Sequence, residues 1–228
     1  MLALHWASPL ASIRWTAIDG KPSLFHRWPP CHRPHAETNL GRCREPDCRT
    51  GHTKARLEAP VGRHFYGHGT FSADGGLLFT TENDYEAAAG IIGIWDVQDD
   101  YLRIGEFSSG GIGPHDIELM PDGKTLVVAN GGIETHPETG RSKLNLPAMR
   151  SNLSYLALDG VIEAQVELAP EHQRNSIRHL AVSHRGDVAF AMQWQGDLTD
   201  DLPLIGVHSL RRQHLKFYVE ASVRGMQG

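Results

Sequence analysis

Residues 113–132 read GPHDIELMPDGKTLVVANGG. Ile117 and Leu119 alternate with Asp116 and Glu118, the two-residue period of a strand with one apolar face. Pro121-Asp122-Gly123-Lys124 is turn chemistry: proline presets φ, aspartate bonds its own backbone, and glycine accepts positive φ. Thr125-Leu126-Val127-Val128-Ala129 then runs apolar and β-branched, as a strand covered on both faces should. The stretch predicts a β-hairpin whose second strand is deeply buried.

The same phrase occurs twice more, as GHGTFSADGGLLFTTEN (67–83) and IRHLAVSHRGDVAFAMQ (177–193). Each copy sets a histidine (His68, His115, His179) ahead of a glycine turn (Gly76, Gly123, Gly186). Each ends on an amide (Asn83, Asn130, Gln193). The histidine-to-amide spacing is 15, 15 and 14 residues, too regular for three unrelated hairpins. Two further strands follow the first copy (91–97, 101–107) and the second (152–159, 161–168). After the third copy only residues 203–210 read as a strand, so its fourth strand is missing from the pattern. Four antiparallel strands per repeat predict an all-β fold, a β-propeller with about three blades near 67–107, 114–168 and 177–210. The histidines recur after 47 and then 64 residues, and the insertion 131–150 accounts for the longer interval. A ring needs at least about four blades, so it is incomplete within this chain. Assembly from several chains and a piece of a longer array are both open. The piece is favoured, because a blade needs matched neighbours on both sides.

Composition divides the chain differently. Residues 1–56 carry nine Lys/Arg against four Asp/Glu, whereas 57–228 carry thirteen against twenty-three. The resulting expectation is an irregular, disordered or out-of-frame leader (1–56), a partial propeller (57–210) and an irregular tail (211–228). The basic charges of the leader are scattered, which argues against a nucleic-acid arm. No run of eighteen apolar residues exists, so no membrane-spanning helix is expected. Cys31, Cys43 and Cys48 all lie in the leader; their odd number argues against a closed disulfide framework, and with His35 they match no common zinc spacing.

RHFYGHGTFSADGGLLFTTENDYE, GIGPHDIELMPDGKTLVVANGGIETHPETGRSKLNL and SIRHLAVSHRGDVAFAMQ resemble a bacterial seven-bladed propeller family of unknown function, domain of unknown function family 1513. The resemblance covers approximately residues 57–210, and the GGI-THP-TGR-KLNL insertion makes it specific. It implies a twin-arginine-exported, periplasmic protein linked to iron or another metal, with iron-uptake or other periplasmic proteins as partners. It implies no catalytic residues. The chain departs from the family in lacking a twin-arginine leader and about half of the blades of a seven-bladed ring.

Blades are related by rotation about a channel, so His68, His115 and His179 are expected to converge at its mouth. Neutral imidazoles there could hold a divalent first-row metal or iron, with Asp116 or Glu82 completing or orienting the set. The alternative is that each histidine anchors its own blade through a hydrogen bond. Arg178 and His64 lie beside members of this ring, and Asn83 and Asn130 close the copies. The rim insertion offers His136, Arg141, Lys143, Asn145 and Arg150, as ligand contacts or as pins for a long loop. Glu82, Asp84 and Glu86 could gather a cation or form a solvated charged loop.

No G-x-S-x-G motif occurs and the cysteines lie outside the repeats, so nucleophilic catalysis has little support. The leading expectation is a propeller-type binding protein that handles a metal. A lactonase-like hydrolase using the channel mouth is the first alternative, and a structural protein-interaction platform the second.

Overall fold

The computed structural model describes residues 35–37, 42–46, 53–139, 142–197, 200 and 202–218. Cys31 and Cys48 lie outside them. Three short strands, β1 (His35–Glu37), β2 (Arg42–Pro46) and β3 (Thr53–Glu58), precede the repeats. Irregular structure is expected over 1–56, but these three pair antiparallel, and β1 meets β4 (Arg63–Phe71) through His35 and His68. The alternation Lys54-Ala55-Arg56-Leu57-Glu58 was the available signal for β3, obscured by the scattered basic charges of the segment.

The first blade runs β4, β5 (Leu77–Asp84), β6 (Ala89–Asp96) and β7 (Leu102–Ser108). The second is β8 (Pro114–Leu119), β9 (Thr125–Asn130), β10 (Asn152–Ala157) and β11 (Ile162–Glu167). The third is β12 (Asn175–Val182), β13 (Asp187–Trp194), β14 (Ile205–Ser209) and β15 (His214–Tyr218). Each blade is an antiparallel meander in chain order. The fold is therefore all-β, three four-stranded blades of propeller type, and β15 supplies the strand missing from the pattern. His214-Leu215-Lys216-Phe217-Tyr218 does alternate, but a 3₁₀ turn at Leu210–Arg212 breaks the chain just before it.

The three leading hairpins share one turn. The amides of Gly75, Gly123 and Gly186 donate to the carbonyls of Ser72, Met120 and Ser183, each at 2.9 Å. All three glycines have positive φ, between 70° and 83°. In the first turn the left-handed residue is Gly75, not the expected Gly76. A residue with a Cβ is strained in that conformation.

The blades stack face to face. Every residue of β9 is buried. Leu126 and Val128 join Phe79, Ile92, Ile117 and Leu156 between the first and second blades. Val127 and Ala129 face the other way, into a cluster with Leu153, Tyr155, Ile177 and Phe190 between the second and third. The outer face of the first blade, at Phe65, Leu78, Trp95 and Tyr101, is covered by Leu57 of β3. At the inner edge, β8 packs against both β4 and β12. The closest approach is at Gly67, where an added Cβ would stand 1.8 Å from the carbonyl oxygen of His115.

Gly67→Ala is expected to cost about 3 kcal/mol, because the obstacle is backbone rather than a movable side chain. Urea denaturation checks this; an unchanged midpoint would mean that the inner strands do not approach so closely.

Candidate functional site

The site lies where the three inner strands meet, and one backbone irregularity builds it. In the β4–β5 ladder Phe65 pairs with Glu82 and Gly69 with Thr80, so Tyr66, Gly67 and His68 bulge opposite a single residue. In β8–β9, Pro114 pairs with Asn130 and Asp116 with Ala129, leaving His115 as the extra residue. In β12–β13, Ile177 pairs with Met192 and His179 with Ala191, leaving Arg178 as the extra one. A bulge re-aims its side chain out of the alternating pattern. The sequence aligns His115 with His179; the ladders give the bulged place to His115 and Arg178.

The histidines converge. Ring centroids are 5.7 Å apart for His68 and His115, 5.5 Å for His68 and His179, and 5.0 Å for His115 and His179. His179 is exposed at the opening, whereas His68 and His115 are partly covered. As the side chains stand, no three His, Cys, Asp or Glu residues among those described form a ready metal cage. Closing these rings on one ion therefore requires side-chain rotation.

Burial, then the charge of Arg178, pushes the His115 imidazole down to about 4. Its ring is neutral near pH 7, and its buried Nδ1 has no hydrogen-bond partner. Burial also lowers the Arg178 pKa, a tendency opposed by its bond to the Tyr66 side chain. The Tyr66 hydroxyl in turn donates to the Ile133 carbonyl at 3.3 Å. Tyr66 leads on to His64, whose centroid is 5.5 Å away and which stacks at 5.8 Å on Tyr85. Burial, and secondarily His136, lowers the His64 pKa.

The acidic candidates are already engaged. Asp116 is fully buried; its Oδ1 accepts from the Ile117 amide at 2.9 Å and its Oδ2 from the Leu180 amide at 2.8 Å. The second contact ties β8 to β12. Glu82, also fully buried, meets Arg103 through two bonds of 2.6 and 3.0 Å and accepts from Thr80. The acidic group after the first hairpin is thus no common cation site: Glu82 is paired inside, Asp84 meets Arg63 at 3.5 Å, and Glu86 meets His136 at 3.5 Å.

The amides have separate duties. Asn130 accepts from Ser109 and donates to the Asn152 and Ser154 side chains, joining the first two blades. Asn83 is buried and donates to the Thr135 carbonyl at 3.4 Å, while its Oδ1 has no partner. On the insertion, Asn145 pins the loop by accepting from the Glu134 amide and donating to the Gly132 carbonyl. Lys143 bonds Gln195 of the third blade, and the exposed Arg150 stands 3.7 Å from Glu167. His136 packs edge-on against Tyr85 at 5.1 Å. Arg141 lies outside the described residues. Tyr66 is the member that sequence reasoning missed; its place next to Gly67 in an inner strand was the available signal.

The family model described as "Protein of unknown function (DUF1513)" matches residues 43–228. No curated protein matches the sequence. Among solved structures, a functionally unknown protein from Desulfotomaculum acetoxidans is 10% identical with a TM-score of 0.50, covering 82% of this chain and 64% of that one. Kuenenia stuttgartiensis hydrazine synthase is 12% identical with a TM-score of 0.43, covering 78% and 60%. The β-propeller domain of the trilobed protease from Pyrococcus furiosus is 10% identical with a TM-score of 0.42, covering 78% and 48%. The chain spans less than two thirds of the length of each. At these identities the likeness to the Desulfotomaculum protein is one of fold alone.

The depressed His115 pKa has a consequence for stability. As pH falls below 6.5 the unfolded chain takes up a proton that folded His115 refuses until about pH 4. The contribution of His115 to stability therefore drops across that window and is constant beneath it, where the depressed carboxylates Asp74 and Asp122 take over the loss. His64 and His208 are shifted in the same direction, so His115→Gln should make this slope shallower without abolishing it. Urea denaturation at a series of pH values checks the prediction; an identical slope in the variant would contradict it.

Proposed function

Since the chain belongs to the family described as DUF1513, proteins of unknown function, we propose that it is a ligand-binding propeller whose site is the channel mouth and whose ligand is a first-row transition metal ion. One observation carries the reading: three imidazoles from three blades stand 5.0–5.7 Å apart, centre to centre. Imidazole nitrogen suits such ions, and a ring kept neutral keeps its lone pair for bonding. Rotation of the rings about their side-chain bonds would complete the set. Asp116, held by two backbone amides, supports the β8–β12 junction beneath His115 and His179 in this reading and is not a ligand. A complete seven-bladed ring, periplasmic residence and iron-linked partners belong to the same proposal on the family resemblance.

A hydrolase would use the same mouth, with neutral His115 as general base. Turnover of lactones that chelation abolishes would favour it over a binding module.

Cobalt(II) titration followed by visible absorption tests the metal reading. The wild-type protein is expected to give the spectrum of an imidazole-bound ion. His115→Ala and His68→Ala should each weaken binding by more than the roughly tenfold typical of losing a supporting partner. Equal affinity in wild type and both variants would remove the site.

A further inference from the structure

Arg178 is the group at the mouth whose chemistry the three imidazoles do not use. Its Nε is buried and has no hydrogen-bond partner. The guanidinium contact that the structure does make is to the Tyr66 side chain, a phenol rather than a carboxylate. Among the described residues no carboxylate stands within ion-pair distance of it. The acids that the sequence offered are spoken for: Asp116 accepts from two backbone amides and Glu82 pairs with Arg103.

Arg178 is half-buried, and a cation partly withdrawn from water with no counter-charge and one unpartnered nitrogen is costly, so proteins seldom keep one without a use. Arg103 shows the ordinary solution in the same molecule, a two-bond pair to buried Glu82. Arg178 shares its surroundings with a potential donor instead. His115 Nδ1 is buried and unpartnered, and it can carry a proton in the matching tautomer. Tyr66 spends its hydroxyl on Ile133 and on Arg178, and its ring is seated where a side chain on Gly113 would stand, 3.1 Å from Cε1. Tyr66 thereby holds the guanidinium at the mouth without neutralising it.

We infer that Arg178, positioned by Tyr66 beside His115, is the seat of a small oxyanion, a carboxylate or a phosphate. The anion's oxygens accept from the guanidinium, a geometry that arginine meets better than lysine. The inference rests on the channel mouth being the ligand site and not on the ligand containing a metal. Where both hold, the anion is the co-ligand of the imidazole-bound ion.

The test is thermal unfolding of chelator-treated, metal-free protein in inorganic phosphate or malonate, against sodium chloride of equal ionic strength. Phosphate or malonate is expected to raise the midpoint of the wild-type protein. Arg178→Met should weaken that binding by about tenfold or more, the scale of a lost charged hydrogen bond. Arg178→Met should also melt no lower than wild type in chloride, because it replaces a half-buried cation that has no acidic partner with an apolar side chain. A structural arginine would give the opposite shift. The inference is overturned if neither anion raises the wild-type midpoint, if both raise the variant's equally, or if the variant melts well below wild type in chloride. Because no metal is present, these results stand apart from those of the cobalt titration.

Discussion

A four-stranded sheet with two apolar faces cannot stand alone in water, and the molecule follows from that constraint. In β9, Leu126 and Val128 need one neighbour while Val127 and Ala129 need another. Each blade therefore requires cover on both faces, from a neighbouring blade or, on the outer face of the first, from Leu57 of β3. Polar contacts fix how the blades meet: Asn130 joins the first two around Ser109, Asn152 and Ser154, and Asp116 accepts from the Leu180 amide of the third. Apolar area supplies attraction with no direction. The buried hydrogen bonds supply the register, because leaving any of these groups unpaired would cost more than the bond itself contributes.

That register decides what reaches the axis. Inner strands would alternate their side chains between the two blade faces if they were regular. The bulges at Tyr66–His68, His115 and Arg178 break the alternation at the point of closest approach, where Gly67 lets one strand lie on the His115 carbonyl. Packing and site are thus produced by the same few residues. Removing a bulge would return its side chain to a blade face and leave the mouth without it.

The molecule treats its buried charges in two ways. Glu82 and Arg103 are closed upon each other, with Thr80 and Trp95 extending the network, and Gly93 leaves room for the carboxylate. At the mouth, His115 and Arg178 retain buried nitrogens without partners, and burial keeps the His115 ring uncharged while Arg178 remains a cation. Satisfied polar networks elsewhere make the open ones at the mouth informative, because local rules tend to be broken where a protein works.

The blade count was legible in the sequence, because a strand's two-residue period and a turn's need for glycine are local properties. The Pro121-Asp122-Gly123 turn and the all-buried β9 follow from them, and the convergence of His68, His115 and His179 follows from the rotation that relates repeated blades. β15 was not legible, since its five residues follow a turn that interrupts the pattern. Nor were the separate fates of Glu82, Asp84 and Glu86, which share a strand end and part company only through Arg103, Arg63 and His136. Above all, the pairing of Arg178 with Tyr66, 112 residues earlier, was decided by the tertiary structure. A bulge is a relation between two strands, and whether a cation finds a counter-charge depends on what the rest of the chain brings beside it.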